Sequence, residues 1–138
     1  FLYLSENIIR AELPENILRL KFPIDIKLLL LPLVDFARLY GLRLNLNTSN
    51  TLDRLESIHE QGIITTSLYN SLLFSYRLFM QIRFAHQSEL HSSCTPVTNL
   101  INSQSISEMQ HIVLKKYFEL LREMKDKINL DFKGTLVR

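Results

Sequence analysis

The feature that most constrains the fold is a long stretch without glycine or proline near the middle of the chain. It begins at Thr65 and reads TTSLYNSLLFSYRLFMQIRFAHQSEL. At about 3.6 residues per turn, a stretch of this length makes about seven turns of α-helix. We therefore predict a long central helix over 65–91. The whole chain has only 3 Gly and 4 Pro, and this scarcity of turn residues favours helices over hairpins. The fold class is predicted to be all-α.

The remaining helices are predicted from capping residues and helix breakers. We expect a helix over 1–13 ended by Pro14, a second that opens near Pro32 and stops at Gly41, a short third that begins at Asn50 or Thr51 and stops at Gly62, and a long C-terminal helix over 106–131 capped by Ser105 or Ser107. The last helix carries a predicted core stripe of Met109, Ile112, Val113, Tyr117, Leu120, Leu121, Met124 and Ile128. The prediction is a helical bundle of about five helices. Residues 1–21 would be a helix and connector from an upstream domain, and 22–138 the bundle itself.

Composition and charge argue against several classes of function. Basic and acidic residues number 16 and 14 and are interspersed, so the charge pattern does not favour a nucleic-acid partner. The longest apolar run, LLLLPLV at 28–34, is far shorter than the about 20 residues that span a membrane. We therefore expect no membrane partner. The single cysteine, Cys94, suits a reducing compartment, and we predict a cytoplasmic location.

The central helix carries charged and polar residues among its core positions. On a helical wheel one narrow stripe contains Leu68, Leu72, Phe79, Arg83, His86 and Leu90. Arg77 lies roughly opposite and should be exposed. A charge on the inner stripe must be paired or must face a cleft. We therefore predict that Arg83 is mostly buried against a carboxylate, with Asp35 preferred, and that His86 lies beside this pair with Gln87 at the cleft edge.

The candidate site combines this stripe with charges on the second and third helices. Its members are Asp35, Arg38, Arg54, Arg83, His86 and Gln87. Two interpretations stay open. The six residues form either a buried polar network that sets the register of the helices, or a groove in which an anionic ligand takes the place of the carboxylate.

Five segments, taken in order, resemble the nucleotidyltransferase substrate-binding domain family. They are IDIKLLLLPLVDFARLYGL, NTLDRLESIHEQG, LLFSYRLFMQIRFAHQ, NLINSQSIS and LKKYFELL, and together they cover roughly 22–132. By this resemblance the family's motif positions fall on Asp25, Lys27, Pro32, Arg38, Thr51, Arg54, Leu55, Arg83, His86 and Gln87. The chain departs from the family at Ser103, where proline is usual, and at His111, which is often arginine.

The resemblance implies the C-terminal domain of a bacterial signal-transduction protein, preceded by CBS repeats, a cyclic-nucleotide-binding-like module and a nucleotidyltransferase domain. That upstream domain, in the same polypeptide, is the expected partner, together with a nucleotide or protein substrate; a homodimer is a further option. The chain itself lacks the Gly-Ser turn and the D-x-D carboxylates of nucleotidyl transfer. We therefore expect a non-catalytic substrate-binding or regulatory domain without a cofactor of its own, and Mg²⁺ only with the catalytic domain.

Two other classes of function are also compatible with the sequence. Arg54 and His59 have the R-x4-H spacing of HEPN-like bundles that bind nucleotides or cleave RNA, although residues five apart diverge by about 140° on a helix. A plain helical dimerisation module is the third alternative. A zinc site at His86, His91 and Cys94 is disfavoured, because a lone cysteine lacks a second paired motif.

Overall fold

The computed structural model of the protein describes residue 19 and residues 21–133, except the side chains at 105 and 133. The elements in chain order are β1 (Ile24–Asp25), α1 (Ile26–Arg43), α2 (Thr51–Glu60), α3 (Thr66–Ser92), β2 (Leu100–Ile101), a 3₁₀ turn (Ser103–Ser105), α4 (Glu108–Ile128) and a π-helical extension (Asn129–Lys133). The all-α class and the two long helices are confirmed. The helix predicted over 1–13 lies outside the described residues, so the fifth helix and the boundary after residue 21 stay predictions.

Three of the predicted helix starts are confirmed by their capping hydrogen bonds. The side chain of Asn50 accepts from the backbone N–H of Leu52 at 2.8 Å and begins α2. Thr65 caps α3 in the same way. Ser107 and Gln110 form a reciprocal capping box at the start of α4. Side chains that accept hydrogen bonds from the free backbone N–H groups of the first turn determine where each helix begins.

The predicted limits of the second helix are wrong at both ends. α1 begins at Ile26, because Asp25 accepts from the backbone N–H of Lys27 at 2.9 Å and acts as its N-cap. Pro32 therefore lies inside the helix. Gly41 does not end α1, which continues to Arg43. A Cβ atom at Gly41 would lie 3.3 Å from Cδ of Arg54, so this glycine marks a close approach of α1 and α2.

The predicted core stripe of the last helix is correct only in its second half. Met109 and Ile112 are 72% and 55% exposed, whereas Leu114, absent from the prediction, is 2% exposed. From there the buried face follows Tyr117, Leu120, Leu121, Met124 and Ile128 as predicted. The first turns of α4 therefore present a different face to the core from the one that hydrophobic spacing suggests.

The core lies between α1, α3 and α4, with α2 packed against α1 and α3. Tyr117 fixes these helices together: its ring meets Phe79 edge-on at 4.8 Å, and its hydroxyl donates to the backbone carbonyl of Leu29. Burial raises the pKa of the Tyr117 hydroxyl, so it stays a donor at physiological pH. None of the described helices is long and apolar enough to cross a membrane.

Candidate functional site

Arg83 binds the connector between α3 and α4, and its predicted partner is wrong. Its Nε donates to Oδ1 of Asn99 at 3.2 Å, and Nε2 of Gln87 donates to the same oxygen at 3.1 Å. Asp35 instead lies 3.8 Å from Arg38, one turn along α1. Wheel geometry places Arg83 at the edge of the inner stripe, where a connector residue reaches it before α1 does.

Asn99 joins this site to the start of α1. Its backbone carbonyl accepts from the N–H of Ile26 at 2.9 Å, next to the antiparallel β1–β2 pairing of Ile24 with Ile101. Its side chain therefore has a fixed position when it accepts from Arg83 and Gln87. Asn99 is not among the site residues predicted from the sequence. The signal that could have found it is its place at the start of the NLINS segment, immediately before a short strand.

No carboxylate in the described part of the chain balances the positive charge of Arg83. Among the residues that the structure describes, no acidic side chain pairs with Arg83, and its two Nη groups have no hydrogen-bond partner. Arg83 is mostly buried and Arg77 is exposed, both as predicted. A held guanidinium with free N–H donors and an uncompensated charge is suited to a carboxylate or phosphate group.

The six candidate residues separate into groups. Arg54 packs against Gly41, near the end of α1, and its Nε donates to the carbonyl of Thr48 at 3.1 Å. The contact between Asn99 and Ile26 places Arg83 near the start of the same helix. Fifteen residues of helix separate Ile26 from Gly41, about 22 Å. Arg54 and Arg83 therefore do not border one groove.

The Asp35–Arg38 pair forms a separate group in the middle of α1. The side chain of Arg38 is 53% exposed and that of Asp35 is 21% exposed. Burial raises the pKa of the Asp35 carboxyl above its ordinary value, and Arg38 lowers it by less. The pair is thus a partly buried carboxylate with a solvated and weakly stabilising partner.

His86 has different neighbours from Arg83 and Gln87. It lines a cleft between α3 and α4 with Gln110. Its Nε2 atom is buried without a hydrogen-bond partner. The sequence predicted that His86 lies beside an Arg83–carboxylate pair. His86 is instead part of a second polar feature.

The R-x4-H pair does not converge on one point. Arg54 contacts Thr48, whereas the ring of His59 stacks on Tyr69 at 4.4 Å and its Nε2 lies 3.0 Å from Oγ1 of Thr66. The two side chains have separate partners in the loop before α2 and at the start of α3. This geometry does not favour shared work on a phosphate.

The described residues also contain no group of three or more His, Cys, Asp or Glu side chains that could hold a metal ion. Fold and site thus define an all-α domain in which an arginine and a glutamine of α3 both donate to one amide oxygen of the following connector. The model of the family described as "Putative nucleotidyltransferase substrate binding domain" matches residues 9–132. The chain belongs to this family. Comparisons with curated proteins and with solved structures gave no match.

Proposed function

We propose that this chain is the non-catalytic substrate-binding or regulatory domain of a bacterial nucleotidyltransferase-type signal-transduction protein. Its partner is the nucleotidyltransferase domain of the same polypeptide, and the protein acts in the cytoplasm. The family membership supports the class of function. The observation that carries the proposal is the guanidinium of Arg83, which donates to an amide and has no carboxylate partner among the described residues.

The contacts of Arg83 suit it to hold an anionic group of a substrate. Asn99 uses only Nε of Arg83, so both Nη groups can donate to one phosphate or carboxylate in a bidentate contact. Gln87 shares the Asn99 acceptor and lies one turn along the same face of α3, where it can contact the same ligand. Arg83 would bind the substrate, and Asn99 and Gln87 would position its guanidinium.

The catalytic step belongs to the partner domain. Two-metal nucleotidyl transfer needs paired carboxylates to hold Mg²⁺, and the sequence has no D-x-D pair. In this proposal the partner domain supplies those carboxylates, and the present chain holds the acceptor or a regulatory nucleotide beside them.

The role of Arg83 is tested by calorimetric titration of the purified chain with ATP. We expect Arg83→Gln to weaken ATP binding by about tenfold or more, the effect of losing one charge-assisted bidentate contact. Arg77→Gln is the matched control, because Arg77 is an exposed arginine on the same helix. Equal affinity in the two variants and the unchanged chain would contradict the proposal.

Non-catalysis is tested with labelled nucleotides. The purified chain with Mg²⁺ or Mn²⁺ should transfer no label from any nucleoside triphosphate to itself or to added protein. Reproducible transfer that a substitution within this chain abolishes would show that the chain is itself an enzyme.

A further inference from the structure

A second polar feature lies on the side of α3 that faces α4. It is a cleft of about 230 Å³ lined by Gln81, Ile82, Ala85, His86, Glu89 and Gln110. Arg83 and Gln87 bind the connector and do not line it. The cleft is therefore a different place from the anion-binding contact proposed above, and the two can be tested independently.

The wall of this cleft contains an unmet hydrogen bond. Among the side chains that the structure describes, Nε2 of His86 is the only buried nitrogen or oxygen without a hydrogen-bond partner. Such groups are rare in native proteins because they destabilise the fold, so each one calls for an explanation. Because Nε2 itself is buried, a ligand that offers it an N–H group would have to draw the imidazole toward the cleft, and it would then remove the deficit.

The other lining groups limit what such a ligand can be. Among the described residues, Glu89 is the one carboxylate that lines the cleft and no Lys or Arg lines it, so a phosphate is disfavoured. Gln110 accepts from the N–H of Ser107 through Oε1, which leaves its amide N–H₂ to donate. Ile82 and Ala85 provide an apolar wall. The volume is below the about 300 Å³ at which pockets for drug-sized ligands begin, so it suits a small planar ring.

We propose that the α3–α4 cleft binds an adenine-type base. The amide of Gln81 would pair with the amino group and the adjacent ring nitrogen, the pairing that glutamine makes with adenine. The second amino hydrogen would be donated to Nε2 of His86 once the imidazole has turned toward the cleft, with its proton on Nδ1. The face of the ring would lie against Ile82 and Ala85. The ribose and any phosphate would point out of the cleft.

The test is a titration of the full 138-residue chain, labelled with ¹⁵N in its histidines. The two probes are adenosine and purine riboside, which lacks the amino group. We expect adenosine to shift the His86 nitrogen signals in a saturable manner. Purine riboside loses both contacts of the amino group and should bind at least about tenfold more weakly.

Variants separate binding from folding. His86→Leu should abolish adenosine binding and raise Tm, because it removes the unpaired nitrogen. Gln81→Leu, at an exposed position, should abolish binding without a gain in Tm. His91→Leu, at an exposed position outside the cleft, should bind adenosine normally.

Three results would overturn the proposal: no saturable shift at His86, as expected if only water enters the cleft; equal affinity for the two nucleosides; or normal adenosine binding by His86→Leu. ATP binding that depends on Arg83 in the same samples would show that only the base site has failed. Loss of both would refute the proposed function as well.

Discussion

The two ends of α1 carry similar polar residues but complete their contacts to different degrees. At the C-terminal end, Tyr40 donates to the Asp131 carboxylate at 2.6 Å, and Lys127 lies 3.1 Å from the same oxygen. Arg43 donates to the carbonyl of Asp131 at 3.2 Å and lies over the ring of Phe132. We call this the closed end. Its carboxylate has a cation, and its arginine has both an acceptor and an aromatic ring.

The N-terminal end of α1 is the open end, defined by Arg83, Gln87 and Asn99. Here one neutral amide oxygen serves two donors, and the positive charge of Arg83 has no counter-ion among the described residues. In a polar network that only stabilises a fold, the charged and hydrogen-bonding groups are normally all paired, as they are at the closed end. The incomplete pairing at the open end is the reason to place ligand binding there.

The largest expected effect on stability is at the closed end. Asp131→Ala would leave the Tyr40 hydroxyl with only its long 3.4 Å contact to the backbone carbonyl of Lys127, and it would remove the carboxylate that pairs with the Lys127 ammonium. Burial, followed by the hydrogen bond to Asp131, raises the pKa of Tyr40, so the hydroxyl remains a donor in need of that acceptor. We expect a loss of about 1–3 kcal/mol in the free energy of unfolding, measured by urea denaturation. Asp126→Ala, at an exposed position of α4, should be nearly silent.

The matching substitution at the open end, Asn99→Ala, should reduce stability less than Asp131→Ala does but should weaken ligand binding. Asn99→Ala removes a half-buried acceptor, so we expect a loss of about 1 kcal/mol or less together with weaker ATP binding. A larger loss for Asn99→Ala than for Asp131→Ala would show that the open end is the structural one, and would reverse the comparison.

The fold class and the starts of α2, α3 and α4 could be predicted because they depend on local signals. Asn50, Thr65 and Ser107 each cap a helix through bonds to residues within three positions. Pro32 and Gly41 misled the prediction, because a helix interior can accept either residue when tertiary packing requires it. For Gly41 that requirement is the close approach of Arg54, which no local pattern encodes.

The candidate site was predictable in its residue types but not in its pairing. Wheel geometry correctly separated Arg83 from exposed Arg77. It could not identify Asn99 as the partner, because the contact depends on where a long connector returns to the bundle. It also could not show that Arg54 and Arg83 lie near opposite ends of α1.

Arg54→Ala should have an intermediate effect on the free energy of unfolding. Its acceptor is the carbonyl of Thr48 and not a buried carboxylate. Arg54→Ala should therefore cost about 1 kcal/mol, well below the roughly 3–5 kcal/mol of breaking a buried ion pair. The measurement is chemical denaturation. The control is Arg38→Ala, because the side chain of Arg38 is 53% exposed. A cost above about 3 kcal/mol would indicate a charged partner in solution.

The smallest expected effect is at Asp35, midway between the two ends. Because its pKa is raised in the folded state above the ordinary value of 3.8, the folded chain binds this proton more tightly than the unfolded chain. Ionisation at neutral pH therefore opposes folding. Asp35→Asn should slightly raise Tm at pH 7, and the gain should shrink as the pH falls through the raised pKa. A gain that grows on acidification would show that Asp35 is instead a stabilising carboxylate.

The most direct test of the open-end account is a titration of the isotope-labelled chain with inorganic triphosphate, followed by ¹H–¹⁵N spectra. We predict saturable shifts at the side chains of Arg83, Gln87 and Asn99, no shifts around Tyr40 and Asp131, and loss of the response in Arg83→Gln but not in Arg77→Gln. Shifts centred on the closed end, or a response that Arg83→Gln leaves intact, would contradict the account.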